Sequence, residues 1–257
     1  MKDCPICQNK VTELHKKSHL LPEWMYSEMY NHRHKLINVN VDRRYVNKKQ
    51  KGYYESIICE DCELQSQVYD RYGSLILGSR NDETPEATSI VVSKRVSHTN
   101  TGVQHYSHWT NLDFYKLQKF VYACVLRSHL AEQKNGKYLL VEKHFQKMRE
   151  LYLDPHCLND SSYPIWIVKL DDIDSTKDIL YLPFRNKIDG HAVVEFAGGG
   201  YMFRVYVSSH RKPSCVTEVM LKASGSLYML HFSINDVGTF RATLPILVDL
   251  AKVFPNP

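Results

Sequence analysis

Apolar positions along this chain recur in two rhythms. After Cys62, Leu64, Val68 and Tyr72 return every four residues, which is the spacing of one helix face. The pattern predicts a helix that starts at Cys62 and stops near Gly73. From Asn111 the same rhythm strengthens: Phe114, Leu117, Val121, Val125 and His129 form a stripe, with Phe120, Cys124 and Leu130 beside it. Asn135-Gly136 breaks it, and a second helix is expected over residues 138–152, closed by Asp154-Pro155 because proline cannot continue a helix.

Beyond residue 160 the rhythm shortens. Ile165–Val168, Ile179–Leu182, Ala192–Phe196, Tyr201–Val207 and Leu227–Phe232 are short β-rich runs. Gly198-Gly199-Gly200 between two of them predicts a hairpin turn. A last helix is expected from Pro245, carrying Ile246, Leu247, Leu250 and Val253.

The N-terminal third is less periodic. Residues 23–31 suit a short amphipathic helix, Val39, Val41, Tyr45 and Val46 suggest a hairpin, and Tyr53 to Cys59 reads as a strand. Residues 78–110, rich in Ser, Thr and His, read as a connector with one strand at Ser89–Val92. The fold class expected is α+β in four parts: a metal module over 1–77, the connector 78–110, a helical region 111–160, and a β-rich region 161–257 with a final helix.

Composition narrows the class. With 43% apolar and 24% charged residues the chain is globular, not disordered. Apolar runs such as Leu75-Ile76-Leu77 fall far short of the roughly 20 residues that span a bilayer. The start, Met-Lys-Asp-Cys, has no apolar signal region, so a cytoplasmic address is expected. Net charge is +5, and it is concentrated. Arg33, Lys35, Arg43, Arg44, Lys48, Lys49 and Lys51 face only Asp42 over that stretch, a pattern of a solvated loop or a polyanion-binding surface. Tyr26, Tyr30, Tyr45, Tyr53 and Tyr54 flank it and suit phosphate contact or base stacking.

Four of the seven cysteines form two Cys-x-x-Cys pairs, Cys4/Cys7 and Cys59/Cys62, and two such pairs complete a tetrahedral zinc shell. The 51 residues between them suit a treble clef, with a first knuckle on a hairpin and a second opening a helix. Four protein ligands leave no open position, so the zinc is read as structural, and its removal is expected to unfold residues 1–75. A Cys4, Cys7, His15, His19 finger is the competing set. It has a valid His spacing but only seven residues between Cys7 and His15, and it leaves Cys59 and Cys62 unused.

Cys4-Pro-Ile-Cys7, then Lys17-Ser18-His19-Leu20-Leu21-Pro22, then Ile57-Ile58-Cys59-Glu60-Asp61-Cys62-Glu63 together resemble the HNH-type endonucleases, whose ββα-metal site is built on a zinc-bound treble clef. The resemblance covers about the first third of the chain. It implies that His19 is the general base that activates water, that Glu63 is a ligand of a catalytic Mg²⁺ or Mn²⁺, and that DNA is the substrate. It also suggests a setting in bacterial defence or mobile-element biology. Ser18 stands where the family commonly has a carboxylate, and Tyr54 and Glu55 stand near an expected Asn. An inactive zinc-bound nucleic-acid module is therefore the first rival, and an adaptor for a partner protein the second. His32 and His34 could add ligands or phosphate contacts, although histidines in a basic loop are more often solvated. A partner protein or a second copy of the chain is left open by the C-terminal two thirds, where Arg127 and His129 read as partner-facing or simply amphipathic.

Overall fold

The computed structural model describes residues 1–30, 36–40, 45–49, 52–78, 84–99, 102–154, 156, 158–170, 179–208 and 214–233. In chain order the elements are β1 (Lys2–Asp3), β2 (Lys10–Val11), β3 (Ser18–His19), β4 (Leu36–Asn40), β5 (Tyr45–Lys49), β6 (Tyr54–Glu55), α1 (Glu60–Leu77), α2 (Pro85–Thr88), β7 (Val91–Thr99) and β8 (Gly102–Thr110). Then come α3 (Phe114–Gln133), α4 (Glu142–Leu153), β9 (Ile165–Leu170), β10 (Tyr181–Ile188), β11 (His191–Gly198), β12 (Tyr201–Tyr206), α5 (Ser214–Val219) and β13 (Leu227–Phe232). The fold is α+β. The helix expected at 23–31 is instead two short 3-10 turns, Glu23–Met25 and Ser27–Met29. The last helix expected from Pro245 lies outside the described residues.

Seven strands form one sheet in the order β10-β11-β12-β9-β13-β8-β7. Its neighbours are antiparallel except β13 and β9, which run parallel. Register sorts its side chains into two faces. Ile167, Phe203 and Phe196 lie opposite one another and join the main core, while Val168, Met202 and Ala197 form a smaller cluster on the other face. Residues 78–110 are not the connector expected from their polar composition, because β7 and β8 pair over nine residues and complete the sheet.

At the centre lies α3, with 16 of its 20 residues buried. The Asp113 carboxylate caps it, accepting from the Lys116 N–H at 3.0 Å. One side meets the sheet, where the Phe120 ring packs edge-on against Phe203 with centroids 5.8 Å apart. Another meets α1. Gly73 does not stop α1, which runs on to Leu77, because its missing side chain makes room for Phe120: a Cβ there would sit 3.0 Å from that ring. The N-terminal third therefore shares its core with the rest of the chain, and Ile6, Leu21, Met25 and Tyr26 belong to the same cluster as Phe120 and Phe203.

The face α1 buries differs from the apolar stripe seen in the sequence. Leu64 and Val68 are 52% and 56% exposed, whereas Cys62, Glu63, Ser66 and Gly73 are buried. Polar groups on that face are met by polar groups opposite. Arg127, 1% exposed, grips the Asp70 carboxylate with two hydrogen bonds of 2.7 and 2.9 Å, and the Ser66 hydroxyl lies 3.0 Å from that of Tyr152. Arg127 and His129 are thus interior groups, not partner-facing ones. The His129 Nδ1 accepts from the Leu140 N–H, and burial holds its imidazole below the usual range.

The hairpin predicted by three glycines is present between β11 and β12. Gly199 and Gly200 have φ of 61° and 82°, the left-handed pair that a tight two-residue turn requires. Gly199 also donates its N–H to the Met25 carbonyl at 2.7 Å. A Cβ at 198 or 199 would meet Met25 or Trp24 at 2.9 Å, so this turn is where the N-terminal segment docks on the sheet. Among the described residues no helix is long and apolar enough to cross a membrane.

Arg127→Met should lower the unfolding free energy by about 3–5 kcal/mol, because it strands the Asp70 carboxylate beneath α3. Adding Asp70→Leu should return most of that loss. Urea denaturation of both variants measures it, and a single variant as stable as the parent chain would show that the pair is not buried in solution.

Candidate metal centre and the residues beside it

Local chain geometry builds the four-cysteine cluster. Paired β1 and β2 bring Lys2 opposite Val11 and Asp3 opposite Lys10, leaving Cys4 to Cys7 as the turn. Gln8 takes a left-handed φ of 63°, its N–H donating to the Cys4 carbonyl at 2.8 Å, and the Cys4 N–H donates to Asn9 at 2.9 Å. Cys59 is the N-cap of α1 and Cys62 sits in its first turn. The helix start, with its unpaired N–H groups and positive dipole end, favours thiolates there.

All four Sγ atoms lie within 4.8 Å of one another. Cys4 and Cys62 are 3.8 Å apart and Cys7 and Cys59 3.7 Å. A disulfide needs about 2.05 Å. A tetrahedron of sulfurs around one ion, with metal–sulfur bonds of about 2.3 Å, has edges of about 3.8 Å. The four cysteines can therefore hold a metal ion. The Cys59 N–H also donates to Cys4 Sγ at 3.4 Å, tying the two knuckles through the backbone. The thiols interact strongly: hydrogen bonding to Cys62 pulls Cys4 down to about 4 against its burial, while Cys62 and Cys59 are pushed up. Such a set shares its protons, and a bound cation is what lets all four ionise.

The competing finger set is not assembled. His15 pairs with Glu60 through its Nδ1, and the metal-holding group found among the described residues consists of the four cysteines alone. Of the other cysteines, Cys124 is buried in α3 and burial pushes its thiol up to about 12. Cys215 lies on α5, and Cys157 is outside the described residues.

His19 and Glu63, far apart in sequence, are brought together beside this cluster. Strands β3 and β6 pair with Ser18 opposite Glu55 and His19 opposite Tyr54. The first turn of α1 presents Glu63 to them. His19 Nδ1 lies 3.9 Å from Glu63 Oε1, the histidine side chain 30% exposed and the glutamate 1%. The Tyr54 ring packs edge-on against the imidazole, with centroids 4.5 Å apart. Glu63 Oε2 and the Ser18 hydroxyl are buried and make no hydrogen bond of ordinary geometry among the described residues, but the Ser18 side chain is close enough to help hold the Glu63 carboxyl low. Burial pushes the Glu63 carboxyl up, but pairing with His19 and the charge of Arg127 outweigh it, so the group sits below the usual carboxylate range.

Tyr26, expected at the phosphate or base surface, is instead a core ring, 1% exposed and packed edge-on against Tyr30 and Tyr53. Burial together with Glu23 pushes the Tyr30 hydroxyl up to about 12, and the Tyr26 ring lies so close to Gly52 that a Cβ there would fall 2.2 Å from its hydroxyl. The basic stretch is only partly described. Lys48 and Lys49 lie on β5 opposite Ile37 and Leu36, forming the expected hairpin with β4, while Arg33, Lys35, Arg43, Arg44, Lys51, His32 and His34 fall outside the described residues.

Sequence reasoning missed the charges behind this site. Glu63, Ser66 and Asp70 recur at three and then four residues, a polar stripe on the same face as Cys62. That stripe was the available signal that Arg127 belongs inside. Comparison of the chain with family models, with curated proteins and with solved structures finds no match.

One metal ion per chain is expected, read by atomic emission on purified protein. Cys4→Ser or Cys62→Ser should abolish stoichiometric metal and lower the melting temperature by several degrees or more, as should a strong chelator. Full metal content in either variant would show that the ion sits elsewhere.

Proposed function

We propose that the protein is a metal-dependent DNA endonuclease of the HNH type, with structural zinc at Cys4, Cys7, Cys59 and Cys62. The observation that carries this reading is the placement of His19 on β3 against Glu63 in the first turn of α1, beside the cysteine shell. Strands β3 and β6 paired beside helix α1, whose start carries Cys59 and Cys62, support the reading of a ββα treble clef. The edges of the cysteine cluster suit zinc, and four thiolates suit the reducing cytoplasm.

In this reading Glu63 Oε1 faces the Nδ1 side of the imidazole at 3.9 Å, leaving Nε2 to take a proton from water attacking the scissile phosphate. Glu63 Oε2, buried next to the Ser18 hydroxyl and outside ordinary hydrogen-bond geometry, is the atom that would hold a catalytic Mg²⁺ or Mn²⁺. When bound there, such an ion stabilises the leaving oxygen. Ions of this kind are commonly held by one or two carboxylates together with water and substrate phosphate, so a single glutamate is a workable protein contribution. Arg33, Lys35, Arg43, Arg44, Lys48, Lys49 and Lys51 form the phosphate clamp of the proposal. Bacterial defence is the setting it suggests.

A second reading is favoured by one observation. Ser18, standing where the family commonly has a carboxylate ligand, is fully buried. A zinc-bound module that binds nucleic acid without cutting it accounts for that residue.

Plasmid nicking by the metal-loaded chain, with and without added Mg²⁺ or Mn²⁺, separates the two. Nicking should require the added ion and fall by about 10²–10⁴-fold in His19→Ala, with zinc content unchanged. No nicking with intact DNA binding would favour the inactive module, and nicking that survives in His19→Ala would remove His19 as the base.

A further inference from the structure

A second surface of the molecule combines cations with aromatic rings, well away in the chain from the basic stretch. Between Glu86 and Asp113 the sequence contains no acidic residue, while it holds Lys94, Arg95, His98, His105 and His108. This segment forms β7 and β8, and β7 is the edge of the seven-stranded sheet. Val91, Val92 and Val96 are 54%, 42% and 51% exposed, and Lys94 and Arg95 are exposed beside them. Among the described residues neither Lys94 nor Arg95 has an ion-pair partner.

Register fixes which side chains share a face. Arg95 lies opposite Tyr106, Ser93 opposite His108, and His108 opposite Tyr228 on β13. Residues directly opposite one another project from the same side of a sheet. The His108 and Tyr228 rings stack with centroids 4.2 Å apart and planes within 6°, and Tyr106 lies 6.3 Å from Tyr228. His108 is steadied by the Ser226 hydroxyl at 2.9 Å. Tyr228 remains 38% exposed. Lys94 alternates to the opposite face.

Charged edge strands often serve only to prevent sheet-to-sheet pairing. That purpose explains Lys94 and Arg95 but not a partly exposed ring cluster reaching two strands inward. Acid-free chain, a cation and stacked rings on one face match the chemistry of a ligand that carries negative charge and flat aromatic groups together. We propose that this face of β7, β8 and β13 binds single-stranded nucleic acid, with Arg95 on a phosphate and the Tyr106–Tyr228–His108 cluster beneath the bases. The surface needs neither His19 nor a catalytic ion, so it stands or falls separately from the nuclease reading.

Fluorescence anisotropy of the full chain with a labelled oligothymidylate of about 20 nucleotides tests it. Arg95→Glu should weaken binding by about tenfold and Tyr228→Ala by about fivefold, while Lys94→Glu, on the other face, should cost about threefold or less. Circular dichroism and metal content confirm that each variant is folded, and Arg95→Glu, at an exposed position, keeps the test open should Tyr228→Ala fail to fold. Affinity unchanged in Arg95→Glu would overturn the proposal. So would equal losses in Arg95→Glu and Lys94→Glu with none in Tyr228→Ala, or competition by polyglutamate or anionic vesicles as effective as by the oligonucleotide itself.

Discussion

Four sulfur atoms decide how the N-terminal third of this chain is arranged. Cys4 and Cys7 come from a hairpin turn, Cys59 and Cys62 from the cap and first turn of α1, and all converge within 4.8 Å. A helix tied at its first turn cannot rotate freely about its axis. With Cys62 inward, Glu63, Ser66 and Gly73 are carried inward with it, and Leu64 and Val68 are left in solvent. The interior then contains carboxylates that an apolar wall could not tolerate. Arg127 and Tyr152 answer Asp70 and Ser66, and His19 answers Glu63.

The same constraint links the proposed site to the rest of the molecule. Arg127 on α3 influences Glu63 by its charge and binds Asp70 directly, so the buried network runs from the His19 strand through α1 into the central helix. Close approach holds these layers in place. Phe120 fills the space left by Gly73 on one side and touches Phe203 of the sheet on the other, while Met25 and Trp24 press against the Gly198–Gly200 turn. Close-packed interiors transmit small displacements, so a loosened cysteine shell should be felt at His19 and Glu63.

Much of this was legible in the sequence. The cysteine set followed from spacing, the start of α1 from the apolar rhythm after Cys62, and the β11–β12 turn from three adjacent glycines. Strand β13 was read at its observed bounds, Leu227–Phe232. What stayed hidden depended on partners distant in the chain. Arg127 and Asp70 are 57 residues apart, and the stripe of Glu63, Ser66 and Asp70 marks a polar face on α1 without naming the residue that meets it. The buried face of α1 was misread because the cysteine shell, not the apolar stripe, sets its rotation. Only the start of β7 was read, within Ser89–Val92, and β8 was missed, because β7 is an exposed edge and β8 is a polar strand whose buried positions include Ser107, so neither shows the apolar alternation of a half-buried strand. Glu63 and His19 could be named through a family resemblance, but their 3.9 Å separation is a property of the fold.

The central claim is that metal held by the four cysteines organises the segment that presents His19 and Glu63. Hydrogen–deuterium exchange on the full chain, before and after verified metal removal, tests it most directly. The account predicts lost protection over residues 1–22 and 54–66, with α3, β11 and β12 still protected by their own core. Unchanged protection over residues 1–22 and 54–66 once the metal is gone would contradict it.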